Sequence, residues 1–308
     1  MKRYLLILLA ACLCQIVIYS CTEEIDLGLN QHEKKLVIEA LITDQPGPYF
    51  VRLTRTSNSL YTPSIADTSY ASHAEIVKNA TIIISDNAGN IDTLIPSPYA
   101  FYTYSFEKPD SLIGYYTTKN FQGVSGRKYY LKIEVDDKVF QAEADMIPVP
   151  DIDTIVFNIS PGDPGKEDKV VPLVKMQPTD NNEMYYLFTA QNRPNALHYN
   201  IAVFSILKCE NNNANLYPLY NETSTEGWHF NFSSDFRDTT QFNVYSLNKK
   251  SYDFHKNIIK QFSNDGGAYK PSPSTPQGSF GDEAIGLFQV SSVKTFKTKL
   301  DFYYMFKR

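Results

Sequence analysis

The sequence is poor in the residue types that carry the commonest metal and catalytic chemistries. Its 308 residues include four cysteines, five histidines, one tryptophan and 14 glycines. The histidines are far apart, and Cys209 has no Cys or His nearby, whereas zinc ligands usually occur in pairs about two to five residues apart. No Gly-x-Ser-x-Gly motif and no glycine-rich phosphate loop is present. We therefore expect no metal, no cofactor and no enzymatic activity.

Charge and composition exclude further classes of protein. The chain has 29 Lys and Arg against 34 Asp and Glu, a net charge of −5, and no basic block, so it is a poor candidate for nucleic-acid binding. The hydrophobic fraction of 43% is typical of globular proteins rather than disordered ones. The 22 tyrosines and 19 phenylalanines favour β-strands. The length allows one large domain or two ordinary ones.

Residues 1–20 are interpreted as a lipoprotein signal peptide. A short positive segment precedes an apolar run over 4–11 that is too short to span a bilayer. Such a signal ends at a cysteine preceded by small residues. Cys12 matches this local pattern best but leaves an unusually short apolar region, whereas Cys21 has a small residue only directly before it. Cys21 gives a leader of normal length and is followed by an acidic, polar tether over 21–34. We therefore assign lipidation to Cys21, with Cys12 as the alternative.

Removal of this leader has two consequences for the mature protein. Cys209 is then the only cysteine besides the lipidated one, so no internal disulfide can form and the fold depends on its hydrophobic core. The pair Glu23-Glu24 resembles the acidic signal that directs such lipoproteins to the cell surface. We expect a protein that is anchored to a membrane by its lipid and faces the cell surface.

Short alternating strands dominate residues 35–147. In the first strand, every second residue is apolar from Leu36 to Ile42, and turn-forming residues follow it. Hairpins are predicted at 36–55, 80–94 and 127–144. The pattern predicts a mainly β protein that begins with an immunoglobulin-like β-sandwich over 35–147.

A second β-rich domain is predicted over 151–308, because Pro148 and Pro150 favour an extended linker. One helix is predicted near 248–263, capped by Ser246 or Ser251. Its predicted apolar face consists of Tyr252, His255, Ile259 and Phe262, with Ile258 beside them. Strands are predicted at 153–159, 183–190, 201–208 and 284–290.

Four segments carry a resemblance to a known family. They are LVIEALITDQPGPY at 36–49, VRLTRT at 51–56, GRKYYL at 126–131 and PQGSFGDEAIGLF at 276–288. The chain resembles the Bacteroidetes lipoproteins of domain of unknown function 4249 over nearly its whole mature length. The resemblance implies an outer-membrane lipoprotein of a kind commonly encoded beside TonB-dependent transporters. It implies no particular activity.

Three functional hypotheses follow. The first is a surface lipoprotein that is accessory to a TonB-dependent nutrient transporter. The second is an independent surface module that binds a glycan or a peptide. The third is a hydrolase that uses Asp235 and Asp238 as paired carboxylates around Arg237, although a solvated loop explains these residues as well.

Aromatic residues supply the candidates for ligand contact. Trp228, the only tryptophan, and His229 lie in a segment with loop-like composition and are the two candidates. A further cluster could either stack on sugar rings or pack in the sandwich core, since alternation along strands buries about half of such residues. This cluster contains Tyr99, Phe101, Tyr102, Tyr104, Tyr115 and Tyr116.

The segment Asp86–Asn90 has two interpretations. Its acidic and amide side chains suggest a calcium loop, but the alternating ligands and closing Glu of an EF-hand are missing. Asn and Gly residues between two predicted strands are typical of a turn. We interpret the segment as a hairpin turn.

Overall fold

The computed structural model describes residues 33–56, 75–97, 114–160, 169–176, 183–192, 203–209, 216–218, 239–263 and 275–299. The leader, Cys21 and the tether up to residue 32 lie outside these ranges.

The predicted hairpins in the first half of the chain are confirmed. β1 (Leu36–Thr43) pairs with β2 (Phe50–Arg55), β4 (Thr81–Asp86) with β5 (Ile91–Thr93), and β8 (Lys128–Val135) with β9 (Lys138–Asp145), all antiparallel. The β8–β9 turn consists of Asp136 and Asp137, both at positive φ, which is the geometry of a tight two-residue hairpin turn. The strands are β1 (Leu36–Thr43), β2 (Phe50–Arg55), β3 (Glu75–Ile76), β4 (Thr81–Asp86), β5 (Ile91–Thr93), β6 (Ile95–Pro96), β7 (Tyr115–Thr117), β8 (Lys128–Val135) and β9 (Lys138–Asp145).

The second half of the chain contains the predicted helix and further strands. The elements are β10 (Ile152–Ser160), β11 (Lys169–Met176), β12 (Met184–Asn192), β13 (Val203–Cys209), β14 (Leu216–Pro218), β15 (Thr239–Leu247), α1 (Lys249–Ser263), β16 (Ala284–Ser291) and β17 (Val293–Lys299). Within the described ranges, no helix has the length and apolar character needed to cross a membrane.

The predicted cap of the helix is wrong. Asn248 caps α1, because its Oδ1 accepts a hydrogen bond from the N–H of Ser251 at 2.8 Å. The hydroxyl of Ser246 instead donates to the carbonyl of Ile147 at 2.5 Å. Ser251 itself lies in the first turn of the helix.

Two sheets form the predicted β-sandwich, so the mainly β fold class is confirmed. Sheet 1 has the strand order β16-β1-β2-β7-β6, with β3 beside β2, and sheet 2 has the order β5-β4-β8-β9. Their facing side chains form the first core, whose burial stabilises the sandwich. The core includes Ile38 and Leu53 from sheet 1 and Ile82, Leu131 and Ile133 from sheet 2.

The last part of the chain completes this first core. β16 lies parallel to β1, with Ile38 opposite Gly286. Gly286 has a φ of 135°, and a Cβ there would lie 1.9 Å from the carbonyl oxygen of Ile38, so the pairing requires glycine. The strands before Pro148 therefore do not form the whole of this core. The domain limits 35–147 and 151–308 stay a prediction. The residues added to the core after β15 are Phe280, Ala284, Phe288 and Val290.

The four-stranded sheet β13-β12-β15-β17, sheet 4, is covered on both faces. Sheet 3 (β10-β11-β14) packs against one face of sheet 4 (β13-β12-β15-β17) and forms the second core, which includes Val174, Phe188 and Val244. α1 packs on the other face, where Ile259 lies against Leu187. Since an isolated helix of this length is marginal in water, this packing stabilises α1.

Candidate functional site

A cleft of about 980 Å³ lies between sheet 1, sheet 4 and α1. Its volume is within the range of about 300–1,000 Å³ typical of small-molecule sites. We name it the sheet–helix cleft. Its walls include Val37, Glu39 and Leu41 from sheet 1, Asn243 and Thr295 from sheet 4, and Phe254, His255 and Ile258 from α1.

The alternation of β1 builds the first wall. Its even-numbered residues face the first core, so Val37, Glu39 and Leu41 face the cleft. β16 continues this wall, with Leu287 opposite Glu39 and Gln289 opposite Leu41. The side chain of Leu41 remains 39% exposed. The wall is therefore largely apolar and open.

Uncharged polar side chains line the second wall. The Oδ1 of Asn243 accepts hydrogen bonds from Gln241 Nε2 at 3.1 Å and from Thr295 Oγ1 at 2.9 Å. Its Nδ2 donates to Thr189 Oγ1 at 3.3 Å. These bonds fix the amide of Asn243 against sheet 4, which gives the wall a defined set of neutral donors and acceptors.

A neutral histidine lies where α1 meets β16. Burial lowers the pKa of His255 below its usual value of 6.5, with the bond to Gln289 acting in the opposite direction. Gln289 Nε2 donates to Ser291 Oγ at 3.0 Å, so its Oε1 faces the imidazole and accepts from His255 Nε2 at 2.8 Å. In this tautomer, Nδ1 of His255 is an acceptor.

Arg52 forms the charged corner of the cleft. It lies between Glu39 on β1 and Tyr115 on β7, its partners across the strands. Its Nη1 is 3.4 Å from Glu39 Oε1, and its guanidinium lies 5.6 Å from the centre of the Tyr115 ring. Burial raises the pKa of Tyr115, so its hydroxyl stays protonated at neutral pH. The corner therefore presents the Arg52 cation, the exposed carboxylate of Glu39 and one neutral hydroxyl.

The described lining of the cleft includes no Ser, Cys, Lys or Asp. Its hydroxyl, carboxylate and imidazole groups belong to threonines, tyrosines, Glu39 and His255. The thiol of Cys209 lies in the second core, where burial raises its pKa to about 12. Within the described ranges, no three His, Cys, Asp or Glu side chains are grouped as around a metal ion.

Comparison with known proteins identifies the family. A sequence model described as Domain of unknown function (DUF4249) matches residues 22–297. The chain belongs to this family. The matched region includes the whole described lining of the sheet–helix cleft. No curated protein matches this DUF4249 chain.

The predicted site residues of this DUF4249 protein fall mostly outside the described ranges. This holds for Cys21, Trp228, His229 and the Asp235–Asp238 segment, so their roles stay predictions. It also holds for the aromatic residues between 99 and 104.

The two described members of the aromatic cluster have different roles. Tyr115 faces the cleft. Tyr116 is buried in the first core, and its hydroxyl donates to the carbonyl of Val77 at 3.0 Å. For this pair, alternation buries one ring and leaves the other in the cleft.

The interpretation of Asp86–Asn90 as a turn is confirmed. Asp86 Oδ1 accepts hydrogen bonds from the N–H groups of Ala88 and Asn90, both at 2.9 Å. Its Oδ2 accepts from Arg127 Nη1 at 2.8 Å. Burial alone would raise the pKa of Asp86, but these hydrogen bonds, with one from the Asn90 side chain, outweigh it and lower the pKa. The carboxylate thus holds the hairpin turn.

Sequence patterns did not predict the cleft of this DUF4249 protein. Its walls come from β1, β2, β7, β15, α1, β16 and β17, and the pairing of β1 with β16 brings together residues about 250 positions apart. One local feature of the sequence does indicate the burial of β16. The run from Ala284 to Val290 is apolar on both faces, which is typical of a strand covered on both sides.

Proposed function

We propose that this DUF4249 protein is a non-enzymatic lipoprotein of the outer membrane that captures a small ligand in the sheet–helix cleft. The lipid on Cys21 holds it at the membrane. The captured nutrient passes to a TonB-dependent transporter, to which the lipoprotein is accessory.

The open cleft is the observation that carries this proposal. Leu41 and Ile258 leave apolar surface in a concave site of ligand-binding size, beside the fixed polar groups of Asn243 and Gln289. Ligand sites typically combine apolar walls with a few convergent polar groups in this way. The described lining includes no Ser, Cys, Lys or Asp side chain that could act as a nucleophile.

Placement at the membrane rests on the sequence and on the family. The short apolar leader, Cys21 and the acidic tether fit a lipoprotein. Membership of the DUF4249 family agrees with the resemblance that implied this role.

Selective loss of captured ligand in a blocked cleft tests the proposal. The mature chain is incubated with growth medium and washed, and the retained small molecules are identified by mass spectrometry. In Leu41→Trp, the larger side chain extends into the cleft rather than into the first core. We expect compounds retained by the wild type to be lost from this variant.

Val139→Trp is the matched control. Val139 lies on β9, is 50% exposed and does not line the cleft. It should retain the same compounds as the wild type. If Leu41→Trp retains them as well while both variants melt like the wild type, the cleft is not the binding site.

The transporter partnership has its own test. The lipidated protein is purified in mild detergent from the cells that produce it. Co-purification of a TonB-dependent barrel supports the accessory role. Ligand binding by the chain with no associated barrel would favour the independent binding module instead.

External protease tests surface display. Treatment of intact cells should remove the full-length protein, because Glu23-Glu24 is interpreted as a surface signal. Survival of the full-length band, together with digestion in lysed cells, would place the protein in the periplasm.

A further inference from the structure

We infer that the ligand of the sheet–helix cleft is an amphipathic carboxylate, an apolar molecule with one terminal carboxylate that pairs with Arg52. This inference rests on the proposed function and names the ligand class of the same site. Short apolar peptides with a free carboxyl terminus and fatty acids share this chemistry.

Arg52 is the cation of the described cleft lining, since His255 is neutral there. Its side chain is 23% exposed, so solvent reaches part of it. An arginine beside apolar walls is a typical receptor for a carboxylate, because its planar guanidinium can donate two parallel hydrogen bonds.

The present partner of Arg52 is weakly bound. The 3.4 Å between Nη1 of Arg52 and Oε1 of Glu39 exceeds the usual length of about 2.7–2.9 Å for a charge-assisted hydrogen bond. The side chain of Glu39 is 57% exposed. Exposed ion pairs contribute little to stability, so a ligand carboxylate can replace Glu39 at low cost.

The remainder of the cleft fits the rest of such a molecule. Leu41 and Leu287 form the floor beside Glu39, which separates Leu287 from Arg52, and Ile258 of α1 also lines the cleft. Gln289 lies two strands from Arg52 and one row further along sheet 1, about 12 Å away by standard strand spacings. That span matches about three to four extended peptide residues. At the end of the cleft away from Arg52, the ligand meets the side-chain amide of Gln289 rather than a charged group.

Calorimetric titration of the mature lipidated chain in nanodiscs tests this inference, with empty discs as the blank. The probes are trileucine, trileucine amide and octanoate. Trileucine and its amide differ at the terminal carboxylate that Arg52 is proposed to bind. We expect the acid to bind at least about tenfold more tightly than the amide, as for the loss of one charged hydrogen-bonding group.

Three variants locate the effect. Arg52→Gln should weaken binding of the acid about tenfold and leave binding of the amide unchanged. Glu39→Gln should strengthen binding of the acid, because it removes the competing carboxylate. Arg55 lies on the same strand but does not line the cleft. Arg55→Gln removes the same charge and should change the binding of neither the acid nor the amide.

The outcomes separate this inference from the proposed function. Preference for octanoate over trileucine supports the class and identifies a fatty acid as its source. Equal binding of acid and amide, no binding of any probe, or an equal loss of both peptides in Arg52→Gln contradicts the inference. If Leu41→Trp still abolishes retention of other compounds, the cleft binds a ligand of another class and only this inference fails.

Discussion

The carboxylate of Asp44 accepts a hydrogen bond from the main-chain N–H of Val293 at 2.9 Å, across 249 positions of the chain. Its other oxygen accepts the hydroxyl of Ser292. Ser292 is the single residue between β16 in sheet 1 and β17 in sheet 4. Asp44 therefore fixes the point where the chain passes between these sheets, beside the sheet–helix cleft.

The first prediction concerns this contact. Asp44→Ala should lower the free energy of unfolding by about 2–3 kcal/mol, because it leaves the N–H of Val293 and the Ser292 hydroxyl without their acceptor. Urea unfolding measures the change. Asp153→Ala is the control, since its exposed carboxylate lies 3.6 Å from Lys175 and should contribute less than about 1 kcal/mol. Equal effects of the two variants would contradict the role of Asp44.

The second prediction concerns the domain limits. A fragment of residues 33–147 lacks β16 and removes Phe280 and Phe288 from the first core. Loss of one buried Phe costs about 3–5 kcal/mol, and a whole domain is stable by only about 5–15 kcal/mol. We expect no cooperative melt of the fragment by circular dichroism, and a cooperative melt of 33–299. A folded fragment would support 35–147 as an independent domain.

The third prediction is a dependence of stability on pH. Burial lowers the pKa of His255 in the folded state, so below pH 6.5 the unfolded chain binds the proton more readily. The free energy of unfolding should therefore fall as the pH falls from about 6.5 toward the lowered pKa. His255→Gln should reduce this fall between pH 7.5 and 5.5. An identical pH profile for both proteins would exclude His255 as the cause.

The fourth prediction concerns the lipid anchor. Cys21→Ala should abolish incorporation of radiolabelled fatty acid, because the thiol of Cys21 is the proposed acceptor. Cys12→Ala should incorporate label like the wild type. If the two variants behave in the opposite way, the signal peptide ends at Cys12.

The inward faces of the strands were predictable because their pattern is local. Leu36, Ile38, Ala40 and Ile42 alternate, and all four are buried. The cap of α1 was harder to predict, because Ser246, Asn248 and Ser251 all have side chains that can cap a helix. Tertiary contacts decide among them.

The cleft was not predictable from local pattern. Glu39, Asn243 and Thr295 occupy outward strand positions, where polar residues usually face solvent. Only the pairing of β1 with β16, and of β15 with β17, makes these positions walls of one site. A periodic pattern within 20 residues of sequence cannot specify that Ile38 on β1 pairs with Gly286 on β16.

Direct observation of a bound ligand tests the central claim, that the sheet–helix cleft is a binding site. The measurement is a crystal structure of the mature chain with the tightest-binding compound from the capture or titration experiments. We predict ligand density between Leu41 and Ile258, with the carboxylate on Arg52. Density at another surface, with the cleft holding only solvent, would contradict the account.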